Sequence, residues 1–337
     1  MAPSKPHPPS PLLPLILGTA TFNTQYVADP QSMPYRAIVA HAVSLGVTAF
    51  DTWIRYSVLR SLARLHTSYL DLVYLHDVEF VSPGEVLAAI RELRRLRDEE
   101  GVVRYVGISG FPPKVLAELA EMVQRETGKG LDAVLSYGQF TVQNREGGVD
   151  VVLNASMLGM GLLTSRGIPV DAEEEGGSVI AKWHPSPPEL RLACRELARL
   201  AGEAGERLES VAIRWALAEW ARMAADAGFG VAVDGHKVGA TVCGVSSIAE
   251  LEETVAEWRG VLSRFTGQGS DEKYGPKRDE TVLNLVREQL WPALGEWLDY
   301  TWESGGPSFV NTRKESERGV VPDDGVIAAY EQSKQAR

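Results

Sequence analysis

The chain has 337 residues, 44% hydrophobic and 23% charged, with 34 basic against 45 acidic residues and a formal net charge of −11. That length suits one large α/β domain, and the acidic balance argues against nucleic acid or any other phosphate-backbone partner. Cys194 and Cys243 are too few for a disulfide framework and lack zinc spacing, so both thiols are expected to pack as small apolar groups in a reducing, cytoplasmic setting.

Residues 1–14 are proline-rich without an apolar core of signal-peptide length, and predict an extended tail. No apolar stretch approaches the roughly 20 residues that a membrane span needs. From residue 15 to 300 short β-like runs alternate with longer stretches of helical period, the pattern of parallel βαβ units. Strands are predicted at 14–18, 47–51, 70–76, 105–109, 133–136, 149–154 and 240–245. Helices are predicted at 34–45, 53–66, 83–100, 113–127, 187–204, 208–223 and 248–264, with Ser82 and Ser247 as N-caps and Gly46, Gly101 and Gly128 beyond helix ends.

Two connections are too short for an intact barrel. A parallel crossover takes a dozen or more residues, yet only residues 141–148 separate Phe140 from Val149, and Asp51 is followed almost at once by the helix that begins at Trp53. Residues 164–187 are rich in Gly, Pro and Glu without a period, which fits either a mobile flap over a pocket or a solvated surface loop. Beyond Gly267 one further helix is predicted at 281–298. Residues 301–337 form a C-terminal extension that either wraps the barrel or hangs free.

Asp51 and His76 each close a strand, where barrel enzymes place their chemistry. Singly, Asp51 also reads as the cap of the following helix and His76 as a hydrogen-bonded structural histidine. The peptides 107–110 (Gly-Ile-Ser-Gly) and 154–161 (Asn-Ala-Ser-Met-Leu-Gly-Met-Gly) offer small residues where a backbone must approach a ligand, although Gly and Ser also make ordinary turns. Ser247 at a helix start suits an anion or a plain N-cap. Tyr137 would stack on a flat ring or fill the core.

The order of these motifs resembles the aldo-keto reductase superfamily, and within it the D-arabinose and L-galactose dehydrogenase branch. The residues that carry the likeness are Leu17 to Phe22 (Leu-Gly-Thr-Ala-Thr-Phe), Phe50-Asp51-Thr52, 53–65, 70–80 with His76, 105–110, 154–163 and 244–254. The resemblance implies a (β/α)8 TIM barrel holding a nicotinamide dinucleotide at its strand tips and acting on a small-molecule sugar or carbonyl substrate. It places Asp51 and His76 in the catalytic set and Thr19, Ser109, Gly110, Tyr137, Gln139, Ser156, Leu158, Gly159 and Gly161 against the cofactor. Ser246, Ser247, Glu250, Glu253 and Thr254 match the adenosine end. No Lys or Arg lies between Val245 and Glu257, so NAD is favoured over NADP.

The departures are as informative as the matches. The family's Tyr-Gly after Asp, its following helix and the strand bearing the catalytic Lys have no counterpart, so about one αβ unit is missing and a further helix is absent before Val149. No lysine occurs between Lys5 and Lys114. A tyrosine of pKa about 10 is a sluggish acid–base at neutral pH without a neighbouring cation. Tyr56 stands five positions after Asp51, the family spacing, and equally fits the packed face of its helix. The sequence therefore predicts an incomplete barrel and an impaired reductase, against two rivals: a non-redox pseudo-enzyme, or a translation from which coding segments were dropped.

Overall fold

Seven parallel strands carry the architecture in the computed structural model, which describes residues 15–18, 34, 37–38, 41, 50–51, 55–65, 67–143, 153–171, 179–267, 272–304, 325 and 332. They are β1 (Leu15–Gly18), β2 (Phe50–Asp51), β3 (Leu70–Leu75), β4 (Val103–Gly110), β5 (Ala133–Tyr137), β6 (Leu153–Ala155) and a last strand, β9 (Ala240–Gly244). The sheet order is β2-β1-β9-β6-β5-β4-β3. First and last strands pair, Leu15 with Thr241 through Gly18 with Gly244. The two ends of the order, β2 and β3, lie alongside one another, without a register of ladder bonds among the described residues. The sheet thus curls almost to closure, with a seam where the missing strand would lie.

The helices are α1 (Arg55–Leu65), α2 (Pro83–Asp98), α3 (Pro113–Thr127), α4 (Val179–Trp183), α5 (Pro188–Glu203), α6 (Leu208–Ala227), α7 (Ile248–Thr266), α8 (Pro276–Leu285) and α9 (Trp291–Leu294). Local chemistry fixes their ends. Ser82 caps α2 by accepting from the Glu85 N–H while the Glu85 carboxylate takes the Ser82 N–H at 2.8 Å, and Pro83 fills the first turn. Ser247 caps α7, and Gly128 ends α3 at φ 69°. The predicted helix at 281–298 is instead α8, a π-turn at Val286–Leu290 and α9. Most of the predicted helix at 34–45, and Gly46, lie outside the described residues, as do residues 1–14 and nearly all of 305–337.

Strand alternation sorts the core. Leu72, Tyr74, Ala133, Leu135, Leu153, Ala155, Ala240 and Val242 fill the inside of the barrel. The outer faces of β3 and β4 pack on α1, α2 and α3 through residues such as Val73, Val106, Leu62, Ile90 and Leu116. Both cysteines are buried, and burial pushes each thiol up to about 12, so they act as small apolar groups. Among the described residues no helix is long and apolar enough to cross a membrane.

An antiparallel hairpin missing from the sequence expectation precedes β9: β7 (Val231–Val233) and β8 (His236–Val238). Asp234 and Gly235, both at positive φ, make the tight turn such a hairpin needs. Val231 packs against the inside cluster, so the hairpin plugs the barrel at the end opposite the strand tips.

Residues 164–187 are not a free flap throughout. The described part is tied down by the buried Arg191, which donates to the carbonyls of Pro169 (2.7 Å), His184 (2.8 Å) and Ser186 (3.1 Å). His184 is buried, and its Nδ1 accepts from the Ser186 N–H (3.1 Å), so Nε2 carries the proton given to the Gly159 carbonyl (3.0 Å). A second buried set joins α6, α7 and α8. Arg214, fully buried, pairs with Asp279 and Glu257; Arg264 also reaches Asp279, and Arg278 bridges Glu257 to Glu206.

Two stability measurements follow from these ties. Arg214→Met strands Asp279 and Glu257 without a main counter-charge, and should cost about 3–5 kcal/mol; an unchanged thermal midpoint would show the network to be dispensable. Burial lowers the His184 pKa from 6.5 to about 4. Between those values the unfolded chain binds the extra proton, so stability present at pH 7 is lost as pH falls through that window, by roughly 3 kcal/mol. Urea unfolding at pH 7 and pH 4 should show this loss in the wild type and much less of it in His184→Gln.

Candidate active site

The strand tips meet at one end of the barrel. Register sets Asp51 beside Gly18, Gly18 beside Gly244, Ala155 beside both Val242 and Tyr137, and Gly110 beside Ser136. His76 follows the last residue of β3, whose Leu75 pairs with Ile108. Asp51 thus ends β2 at the mouth, although its side chain, the side chain of Tyr56 on α1, and Thr19 lie outside the described residues.

Small residues on β4 let rings from its neighbours meet above it. A Cβ at Gly107 would come within 2.8 Å of the Tyr74 ring, and the next inward position is only a serine, Ser109. The His76 and Tyr137 rings stack there, centroids 5.6 Å apart and 15° from parallel. Asp77 binds both: its Oδ1 lies 2.9 Å from His76 Nδ1 and accepts from the Tyr137 hydroxyl at 2.7 Å. Burial would raise the Asp77 carboxyl, but the His76 contact and the Tyr137 hydroxyl outweigh it and hold the group below its ordinary value.

The rim brings in residues that sequence reasoning missed. Glu79 Oε1 accepts from the Phe111 N–H (2.8 Å) and the Ser304 hydroxyl (3.2 Å), while Oε2 is buried without a hydrogen-bond partner. A Cβ at Gly110 would collide with that Oε2, so the carboxyl fills the space the glycine leaves. Burial raises the Glu79 pKa above the ordinary carboxylate value. Trp302 stacks on Phe111 at 5.2 Å and meets His184 edge-on, and Phe111 in turn tilts against Tyr137. The start of the C-terminal extension therefore crosses the mouth. Gln143 Nε2 holds it by donating to the carbonyls of Trp297 (2.7 Å) and Tyr300 (3.0 Å), and Gln139 donates to Thr301 at 3.4 Å.

Further round the rim, Ser156, Met160, Gly159 and Gly161 all take positive φ in a tight turn after β6, with Leu158 between them. Gly161 needs its bare Cα, because a Cβ would press on Ile180 at 3.1 Å. Beyond β9, Glu250 accepts from the N–H and the hydroxyl of Ser246 (2.7 and 2.9 Å), and Ser247 gives its oxygen to the Glu250 N–H. Glu253 holds Arg207 and the Ser210 hydroxyl, and Thr254 is buried beside it on α7. The structure thus draws His76, Ser109, Gly110 and Tyr137 into one mouth, while Ser246, Ser247, Glu250 and Glu253 follow the tip of β9 into the start of α7. Of the missed residues, Asp77 and Glu79 had a signal in their position just after a strand-ending histidine. Trp302, Ser304 and Arg207 had none, since only folding brings them near.

Known proteins share this pattern. The model of the Aldo/keto reductase family matches residues 53–265. The chain is 30% identical to D-arabinose 1-dehydrogenase of Saccharomyces cerevisiae over 353 aligned positions, covering 87% of this chain and 94% of the relative. That alignment is longer than the chain, so the yeast protein has stretches with no counterpart here. L-galactose dehydrogenase of Arabidopsis thaliana is 27% identical over 251 positions, 71% of this chain and 67% of the relative. Among solved structures, a glycerol dehydrogenase from Gluconobacter oxydans superposes with a TM-score of 0.50 at 16% identity over 91% of this chain and 98% of its own, a likeness of fold. With a matching family model, a relative at 30% identity and a parallel barrel lacking one unit, this chain belongs to the aldo/keto reductase family, in the branch of the D-arabinose and L-galactose dehydrogenases.

Proposed function

We propose that the protein is an NAD(P)-dependent oxidoreductase that interconverts a hydroxyl and a carbonyl on a sugar or similar small polar substrate. The observation that carries this reading is the gathering of His76, Ser109 and Tyr137 in one mouth, with the Ser109 hydroxyl fully buried and lacking a hydrogen-bond partner. An unpaired buried hydroxyl costs about 1–3 kcal/mol, which a ligand's amide would recover. The residues fit a nicotinamide dinucleotide, which when bound takes or gives the hydride. Ser109 would hold its amide, the turn from Ser156 to Gly161 would let main chain lie close to its pyrophosphate, and Glu250 and Glu253 would accept its ribose hydroxyls.

Those two carboxylates favour NAD, since a 2′-phosphate would be repelled by them. Arg207 supplies a cation from another element through its pair with Glu253, so the preference should be modest. On the substrate side Phe111, Tyr137 and Trp302 offer apolar ring faces beside the acceptors Asp77 and Glu79. That combination suits a sugar, whose ring has an apolar face and hydroxyl edges. Without a lysine to tune a tyrosine, turnover should fall short of a complete site by part of the 10²–10⁴ that acid–base catalysis supplies.

Titrating NADH fluorescence should give a saturable signal, tighter than NADPH, with Kd raised about tenfold in Ser109→Ala. Absence of saturable binding by either dinucleotide would defeat the proposal.

A further inference from the structure

We propose that His184 is a positioning residue for the cofactor: its Nε2–H fixes the peptide plane between Gly159 and Met160, so that the Met160 N–H is presented to the pyrophosphate. This rests on the oxidoreductase reading above and goes beyond it by naming what shapes the turn after β6, a residue outside every site that the sequence suggested.

The turn is strained and needs support. Ser156, Gly159, Met160 and Gly161 all have positive φ, and two of them, Ser156 and Met160, carry a Cβ that disfavours the left-handed conformation. Such backbone persists where its surroundings over-determine it. Part of the hold is local: the Leu158 carbonyl accepts from the N–H groups of Gly161 (3.1 Å) and Leu163 (2.9 Å), and the Thr164 hydroxyl donates to the Gly161 carbonyl at 3.0 Å. The Gly159 carbonyl accepts from the Leu162 N–H at 3.2 Å and, from outside the turn, from His184 Nε2 at 3.0 Å.

Donors and acceptors leave His184 one arrangement. The Ser186 N–H donates to its Nδ1 at 3.1 Å, and the Ser186 hydroxyl, which accepts from Arg191 Nε at 3.0 Å, stands 2.8 Å from the same nitrogen. Nδ1 is therefore the acceptor of the ring. Burial keeps the ring neutral by lowering its pKa to about 4, so its single proton is on Nε2, facing the Gly159 carbonyl. Arg191 fixes the backbone around the imidazole by donating to the carbonyls of Pro169, His184 and Ser186, and the Trp302 ring closes on it edge-on at 5.3 Å. Tautomer and orientation are thus set before any ligand arrives.

In a trans peptide the C=O and N–H of one plane point in opposite directions. Tying the Gly159 carbonyl down to the buried imidazole turns the Met160 N–H to the other side of the turn, where Leu158, Met160 and Gly161 are partly exposed. A phosphate oxygen only accepts, so an N–H on that side binds it and a carbonyl repels it. Flipping this one plane would exchange attraction for repulsion and leave a buried imidazole N–H unpaired. His184 acts through Gly159 alone and touches neither the hydride nor the substrate.

Three measurements test the role. Histidine-selective nitrogen NMR of the wild type without dinucleotide should show His184 protonated at Nε2 at pH 7; protonation at Nδ1 overturns the proposal whether or not any variant folds. With nitrogen-15 methionine in the protein, the Met160 amide proton should move downfield on adding NADH, and an unmoved amide at saturation also overturns it. In NADH titrations His184→Asn, whose amide matches Nδ1 but stops short of Gly159, should raise Kd about tenfold, whereas His184→Gln, which carries a donor to the place of Nε2, should stay within about threefold of the wild type. A residue that only supported the fold would not separate these two variants, so equal Kd values in folded Asn and Gln variants remove the role alone. If the wild type binds neither NADH nor NADPH, the oxidoreductase reading has failed and this role falls with it.

Discussion

Pairing of the first strand with the last fixes everything at the mouth. Because Leu15–Gly18 runs in register with Thr241–Gly244, the tip of β2 is carried to the level of β9, and through β6 and β5 to the level of Tyr137. Each parallel strand depends only on its two neighbours, so losing one αβ unit disturbs the geometry at a single place, between β2 and β3. There, among the described residues, β2 contributes two residues and the facing edges show no ladder. Six strand pairs remain intact among the described residues, and unpaired edge groups would be costly anywhere else in the sheet.

The same locality explains what could be read in the sequence. All seven strands of the sheet were legible because each is a short apolar run between turn residues, and α2 and α7 were legible because Ser82 and Ser247 cap them. The hairpin before β9 was overlooked although its Asp234-Gly235 pair between β-branched residues is a strong turn signal. Residues 164–187 looked unstructured because their composition is loop-like. Their order comes instead from Arg191 on α5, a contact that no local pattern announces.

At the site, the histidine and the serine were legible from their place at strand ends, but their surroundings were not. Asp77 follows His76 directly, yet only its left-handed backbone turns the carboxylate toward the ring. Tyr137 read as either a stacking residue or a core filler, and in this structure its ring meets His76 and Phe111, reached across a strand with glycine and serine on its inner face. Trp302 stacks on Phe111 and Ser304 donates to Glu79, 225 positions earlier, on a stretch whose backbone carbonyls Gln143 collects. Side chains that gather long-range backbone in this way leave no periodicity in the sequence.

The charge of the mouth bears on the kind of molecule it could accept. The His76 contact and the Tyr137 hydroxyl hold the Asp77 carboxyl below its ordinary pKa, whereas burial raises that of Glu79, which has one oxygen buried without a hydrogen-bond partner. A carboxylate or phosphate substrate would meet Asp77 at close range in a partly desolvated space, where like charges repel far more strongly than in water. A neutral polyol meets no such penalty, because its hydroxyls can donate to Asp77. If the proposed sugar-binding role holds, the acidic groups of this rim would select by charge before shape is tested, and Gly110 leaves room for the second carboxyl.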